Sequence, residues 1–432
     1  MAPFSAAVSS LPGRSVSTGY CSPATIRISD RDGSSLNCLG FIDCQSSSHC
    51  RIESLAAARP TMQTVTTVNR WLTDVEIEKS KEETRKNAQT TFRHHYVPRM
   101  YLKRWTTDGS GEIQVTNVDT KESNCVPIES TAVEDNFYQI SAPDIDADAN
   151  PDMWFETHMG RIEGRAANWL RALDGQPDGR IKDKNLISNL AVYISLQSQR
   201  TQRGRQTDVG IDAAVNRYGA SHILNITGLL PILCREYGIE YSEARHQAIV
   251  NQILAKRAVS SETKPKAIDA AIGAWKNVLA PLIENDRDYW LASSTGDLLT
   301  CDEPVLGIPT KRNTRQFPVS IRNSEIIVFP ISPNRLLILS RKNVKIKPPF
   351  ELSSTEAKFL NREFCYNCNR LVFEKSGTSI ASQIQIPNYP EKQDWSSSIT
   401  SAPEFARAVL LPTRWTDAPH SPQWPLSRWT TD

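Results

Sequence analysis

Phe92-Arg93-His94-His95-Tyr96-Val97-Pro98-Arg99-Met100-Tyr101-Leu102-Lys103-Arg104-Trp105 is the stretch on which the reading of this chain turns. It holds two of the seven histidines side by side, with four Arg or Lys, four aromatic residues and no carboxylate. Adjacent histidines point to opposite sides of a strand and lie about 100° apart on a helix, so one faces the core while the other faces a cleft. Beside Arg99, Lys103 and Arg104, a cleft-facing imidazole suits general-base or metal-ligand chemistry in a site that holds phosphate. The plain alternative is that His94 hydrogen-bonds backbone carbonyls and Pro98 ends the segment.

Outward from this stretch, composition sets the bounds. Of the 432 residues, 39% are hydrophobic and the mean hydropathy is -0.42, which fits one sizeable globular region with polar extensions. Fifty Lys and Arg against 48 Asp and Glu give a net charge of +2, so any anion site is a local patch. No run approaches the roughly 20 apolar residues that cross a bilayer, so a soluble protein with no membrane partner is expected. Nine cysteines, scattered and odd in number, point to a reducing cytoplasm. Cys38, Cys44, His49 and Cys50 lack the short pairs of a structural zinc site, and Cys365 with Cys368 reads as two buried thiols.

Three regions are expected. Residues 1–88 form a mostly disordered extension; Arg14 and Arg27 without nearby acids faintly suggest a transit peptide, and the extension closes on a charged, solvated helix over about 73–87. Residues 89–376 form a single α+β domain, and 377–432 a weakly ordered tail rich in Trp, Pro and Ser. Within the domain, Phe155, Met159, Ile162, Ala166, Trp169, Leu170 and Leu173 make one helical stripe, with Glu156 and Glu163 along its edge. A second helix, about 184–202, buries Leu186, Leu190 and Ile194 and carries Tyr193, Gln197 and Arg200 on a neighbouring face. Helical material continues over 209–283. The period then changes to strands. Tyr289–Ser293 and Asp297–Cys301 read as a hairpin that delivers Asp302-Glu303-Pro304, and Ile326–Pro330 with Leu336–Ser340 as a second one. A helix over about 354–367 and a strand at Leu371–Glu374 follow. Asp144, Asp146 and Asp148 alternate like a calcium loop, but Ala149 and Phe155 stand where such a loop needs glycine and glutamate.

The opening His-His-Tyr-Val-Pro at 94–98, Tyr101-Leu102, Asn136 to Tyr138, Glu156 and Glu163, Gln197 with Arg200, Asp302 to Pro304 and Phe329-Pro330-Ile331-Ser332-Pro333 occur in this order. In that, the chain resembles the domain-of-unknown-function 4238 family, mostly microbial proteins, over about 92–375. The family often has Asp-Asn-Pro where this chain has Asp302-Glu303-Pro304. The resemblance implies a fold and a candidate site, and no established activity.

The first strand of HNH-type nucleases is similar to His-His-x-Val-Pro, yet the next histidine is His158, too distant for their compact metal finger. Glycine-rich phosphate loops, the Gly-x-Ser-x-Gly elbow and kinase signatures are absent. Three basic stretches, 93–104, 200–205 and 311–315, bind a polyanion if they converge, and Tyr96, Tyr101 and Trp105 then stack on bases; otherwise they are solvated faces. The expectation is a metal-assisted hydrolase of nucleic acid or another phosphate ester, with a divalent cation. His94, His95, Glu163 and Asp302 are its catalytic candidates, and Tyr96, Arg99, Tyr101, Arg104, Gln197 and Arg200 its substrate-binding ones. The alternatives are a non-catalytic module binding nucleic acid or protein, and a purely structural role for the same residues.

Overall fold

The computed structural model describes residues 68–87, 93–107, 110–135, 137, 151–236, 239–257, 272–273, 275–308, 319, 321–322, 324–344, 346–389, 399–410, 412–415 and 427–429. The segments at 38–50, 144–148 and 311–315, and Phe92, lie outside these residues.

The fold is α+β, built on antiparallel sheets. Its strands are β1 (Arg93–His95), β2 (Glu112–Asn117), β3 (Ser123–Pro127), β4 (Val133–Asp135), β5 (Gly179–Arg180), β6 (Arg287–Ser293), β7 (Thr300–Cys301), β8 (Leu306–Ile308), β9 (Ile326–Ser332), β10 (Arg335–Arg341) and β11 (Leu371–Glu374). Five of them run in the order β5-β6-β10-β9-β8, four in the order β3-β2-β11-β7, and β1 pairs with β4 alone.

The five-stranded sheet is covered on both faces, which is why β9 and β10 read as unbroken apolar runs. Ile327, Phe329, Ile331, Leu337 and Leu339 enter one core, while Ile326, Val328, Leu336 and Ile338 enter the other. On the first face lie helices α2 (Arg99–Leu102), α3 (Trp154–Asp174) and α4 (Lys184–Gln199). On the second lies the helix Ser354–Asn367, with Trp415 and Trp429. A Leu339→Ala change at the sheet centre, where the side chain is fully buried, costs about 2–5 kcal/mol.

One expectation about this region changes. The β9–β10 hairpin forms, but β6 pairs with β5 and β10, while β7 pairs with β11 in the other sheet. Thr295 and Leu298 bond instead to Leu352 and Pro333, which turns the chain from one sheet to the next. Along the tail, Arg414 is buried and donates to the carbonyls of Pro387 and Asn369 and to Asp119, and Trp415 packs on Tyr366. These parts of the tail are core material.

Helix α1 (Asp74–Lys86) is capped by Thr73 as its sequence suggests, and it docks on α3 through Ile77, Ser80 and Thr84. Buried His158 fixes that contact: Nε2 lies 3.2 Å from the Trp71 carbonyl and Nδ1 2.9 Å from Ser80 Oγ. Burial first, helped by nearby Arg161, pushes its pKa down to about 4, so the ring is neutral. Cys365 and Cys368 are buried free thiols, as expected.

No helix among the described residues is long and apolar enough to cross a membrane.

Candidate active site

The β1–β4 ribbon pairs His94 with Glu134 and His95 with Val133. Together with Glu156 and Glu163 of α3 and Arg200 at the end of α4, it borders a cavity of about 420 Å³ lined by Arg93, His94, His95, Arg99, Glu129, Val133, Glu156, Glu163 and Arg200. Eight of these nine residues are titratable, so the cavity is polar by construction.

Arg200 sets its floor. As the C-cap of α4 it sits at the negative end of the helix dipole. It is 4% exposed, and its guanidinium donates to Glu163 Oε1 and to the His95 backbone carbonyl. One buried cation thereby ties α3, α4 and β1 together. Glu163 is engaged by this pair. Glu156, two helical turns earlier on α3 and so about 10 Å away along the axis, behaves differently. Its Oε2 is buried with no hydrogen-bond partner among the described residues. Burial raises its pKa to about 7, with Glu163 adding to the rise and Arg200 opposing it. A carboxyl in that range exchanges a proton at neutral pH.

His95 is half-buried, and its Nε2 lies 3.4 Å from the Ile128 carbonyl. Burial, reinforced by Arg99, Arg200 and Arg93, lowers its pKa. A neutral ring that donates Nε2–H to that carbonyl turns its Nδ1 lone pair to the other side, the tautomer a base requires. His94 is 1% exposed yet also contributes to the wall, so both histidines border the cavity, against the expectation of one at most. At the rim, Arg93 is exposed, and Arg99 reaches Glu129 at 3.4 Å, both side chains more than half exposed.

Other residues proposed from sequence lie elsewhere. Asp302 does not line the cavity: buried beside β11, its carboxylate accepts the backbone N–H groups of Asn369, Arg370 and Leu371 at 2.7–2.9 Å. It anchors the start of a strand. Tyr101 is fully buried, its hydroxyl bonded to Thr300 and the Pro330 carbonyl and its ring stacked on Phe329. Tyr96 and Trp105 are buried as well, so none of the three offers a face on which a base could stack. Arg104 is taken by Asp174 and the Ile331 carbonyl. Gln197 is buried below the cavity and donates to the Tyr96 carbonyl. Arg203 of the second basic stretch is buried too, against the Cys368 carbonyl. Of the first two basic stretches, Arg93, Arg99 and Arg200 meet at the cavity while Arg104 and Arg203 are engaged elsewhere; the third lies outside the described residues.

Sequence reasoning missed Glu129, named Arg93 only within a basic stretch, and placed Glu156 only along a helix edge without counting it among the catalytic candidates. The spacing of Glu156 and Glu163 was the available signal for the last, since residues seven apart share a helix face. Glu129 lies in a short turn and carries no such signal. Among the described residues, no three of His, Cys, Asp and Glu converge as ligands for a metal ion. A larger cavity, about 530 Å³, opens beside Arg428. Its Glu356 is held below the usual carboxylate range, with Arg428 and Ser353 outweighing burial, so that carboxyl is ionised at neutral pH.

Residues 93–378 match the profile of a family described as protein of unknown function, DUF4238. No curated protein and no solved structure matches the chain.

Proposed function

Because the chain belongs to the DUF4238 family, which brings no assigned activity, we propose from the cavity itself that it cleaves phosphodiesters by general acid–base catalysis. The observation that carries this reading is that Glu156, one of whose oxygens is buried without a hydrogen-bond partner among the described residues, lines a cavity shared with His95 and rimmed by two exposed arginines. Glu156 is the acid, His95 the base, and Arg93 and Arg99 meet the phosphate. Arg200 and Glu163 are positioning residues that fix the His95 backbone and the tilt of α3 against α4.

Acid–base groups of this kind contribute roughly 10²–10⁴-fold each. The pH dependence has a definite shape: kcat/KM falls as Glu156 loses its proton around pH 7. The test is a panel of bis(4-nitrophenyl) phosphate, single-stranded DNA and single-stranded RNA, with and without divalent cations, comparing wild type with Glu156→Gln at matched folding. A loss of about 10²-fold in the variant is expected. Equal rates for the two proteins overturn the reading. Tight binding of a polyanion with no turnover does so as well, and leaves the non-catalytic binding module in its place.

A further inference from the structure

The acid–base reading leaves open what attacks the phosphorus. The cavity supplies two proton-transfer groups of opposite sense, Glu156 and His95, on different elements facing one space. Its cations are unequally committed. Arg200 is bound to Glu163 and Arg99 is shared with Glu129, whereas Arg93 has no ion-pair partner among the described residues. One cation without an ion pair and a second shared with Glu129 together match the single charge of a phosphodiester better than the nearly doubled charge of a monoester near neutral pH. The cavity also opens at an exposed rim, which suits a chain lying across it.

We propose that the substrate is RNA and that the attacking group is its own 2′-hydroxyl, with His95 and Glu156 as the proton-transfer pair; this rests on the acid–base reading above. His95 takes the 2′-hydroxyl proton, and the 2′-oxygen forms a bond to phosphorus. The bond from phosphorus to the 5′-oxygen breaks, and Glu156 gives that oxygen its proton. The products are a 2′,3′-cyclic phosphate and a 5′-hydroxyl, and no water or other reactant enters. A neighbouring hydroxyl has an effective concentration of about 10⁵ M or more, which relieves the protein of capturing and orienting a water. Only RNA carries that hydroxyl, so the chemistry itself discriminates against DNA. Base identity is not read by stacking at Tyr96, Tyr101 or Trp105, since all three are buried; recognition is of the ribose-phosphate backbone.

The experiment uses the full chain in EDTA and end-labelled single-stranded RNA, followed by the same RNA carrying one 2′-deoxynucleotide at the mapped cut. Mass spectrometry identifies the ends. The expected result is cleavage to 2′,3′-cyclic phosphate ends and loss of cutting at the deoxy position by at least about 10³-fold, given the intramolecular advantage. Equal cutting at the deoxy position, or ends formed by attack of water, overturns the inference. If Glu156→Gln still suppresses that cutting, the acid–base reading survives the failure. Cleavage of DNA or bis(4-nitrophenyl) phosphate but not RNA has the same two meanings. No cleavage of any of the three substrates overturns both. Because the deoxy comparison is made within the wild-type protein, it does not depend on any variant folding.

Discussion

Among the described residues, two glutamates have their pKa raised to about 7, and each lies near an arginine of one helix junction. Glu156 faces the cavity beside Arg200, which ends α4; Glu303 lies beside Arg203, in the first turn of the next helix, Gln202–Tyr218. In both, burial is the first cause and an arginine opposes it. The difference is in the partners. Glu303 accepts the Arg203 backbone N–H at 3.3 Å and is bonded by the Thr201 side chain, and it does not line the cavity. By surface area it is only half-buried, although protein surrounds its carboxyl closely. Glu156 keeps one buried oxygen without a partner among the described residues and lines a space large enough for a ligand. A raised carboxyl therefore does not identify a site; the unspent hydrogen-bonding capacity does.

The sharpest way to break this contrast is to neutralise each carboxyl in turn. Glu156→Gln is expected to lower phosphodiester cleavage by about 10²–10⁴-fold, while Glu303→Gln leaves kcat within about threefold, because only the first group can reach a substrate proton. Single-turnover rates at matched folded fractions decide it. Comparable losses in the two variants would erase the distinction between open and satisfied carboxyls.

The next largest effect concerns the cation that holds the cavity floor. Removing one partner of a buried ion pair strands the other, at a cost of about 3–5 kcal/mol; with the Glu163 side chain 22% exposed, the lower end applies. Arg200→Met should thus destabilise by about 3 kcal/mol in urea unfolding, and adding Glu163→Leu should restore at least half of the loss. Were the single variant as stable as wild type, Arg200 would not be the tie between α3, α4 and β1.

Much of the fold was legible because burial writes itself into the sequence. The runs at Ile326–Ser332 and Arg335–Arg341 are apolar on both faces, and the stripe from Phe155 to Leu173 has helical period. Strand partners were harder. Thr300-Cys301 has strand character, but nothing local says that its neighbour is β11 rather than β6. Of the site, His95, Glu163 and Arg200 were legible as polar residues on elements that pass near one another. Glu129 was not, since lining a cavity is a property of the assembled chain. Tyr101 and Asp302 misled for a physical reason. An aromatic ring beside arginines looks the same in sequence whether it stacks on a ligand or on Phe329, and the Asp of an Asp-x-Pro step looks the same whether it receives a substrate or three backbone amides.

The smallest effect separates the two glutamates by stability and needs no substrate. Each carboxyl has an ordinary value of 4.5 and is raised to about 7 in the fold, so the folded state holds its proton more tightly than the unfolded one. Between these values the folded chain binds more protons, and stability falls as pH rises through the window. The full shift corresponds to at most about 3 kcal/mol by pH 8, and partial solvation reduces it. Glutamine does not titrate. Relative to wild type, Glu156→Gln should therefore gain stability between pH 5 and pH 8, by up to about 3 kcal/mol, and the difference between the two pH values cancels any packing change. Glu303→Gln should show the same gain between the two pH values, set on a lower absolute stability at both, because its amide must replace a carboxylate already bonded to Thr201 and the Arg203 backbone. Urea unfolding of the three proteins at both pH values measures this. A Glu156→Gln offset unchanged from pH 5 to pH 8 would mean that the carboxyl is solvated in the folded protein, and the proton donor assigned to the cavity would be lost with it.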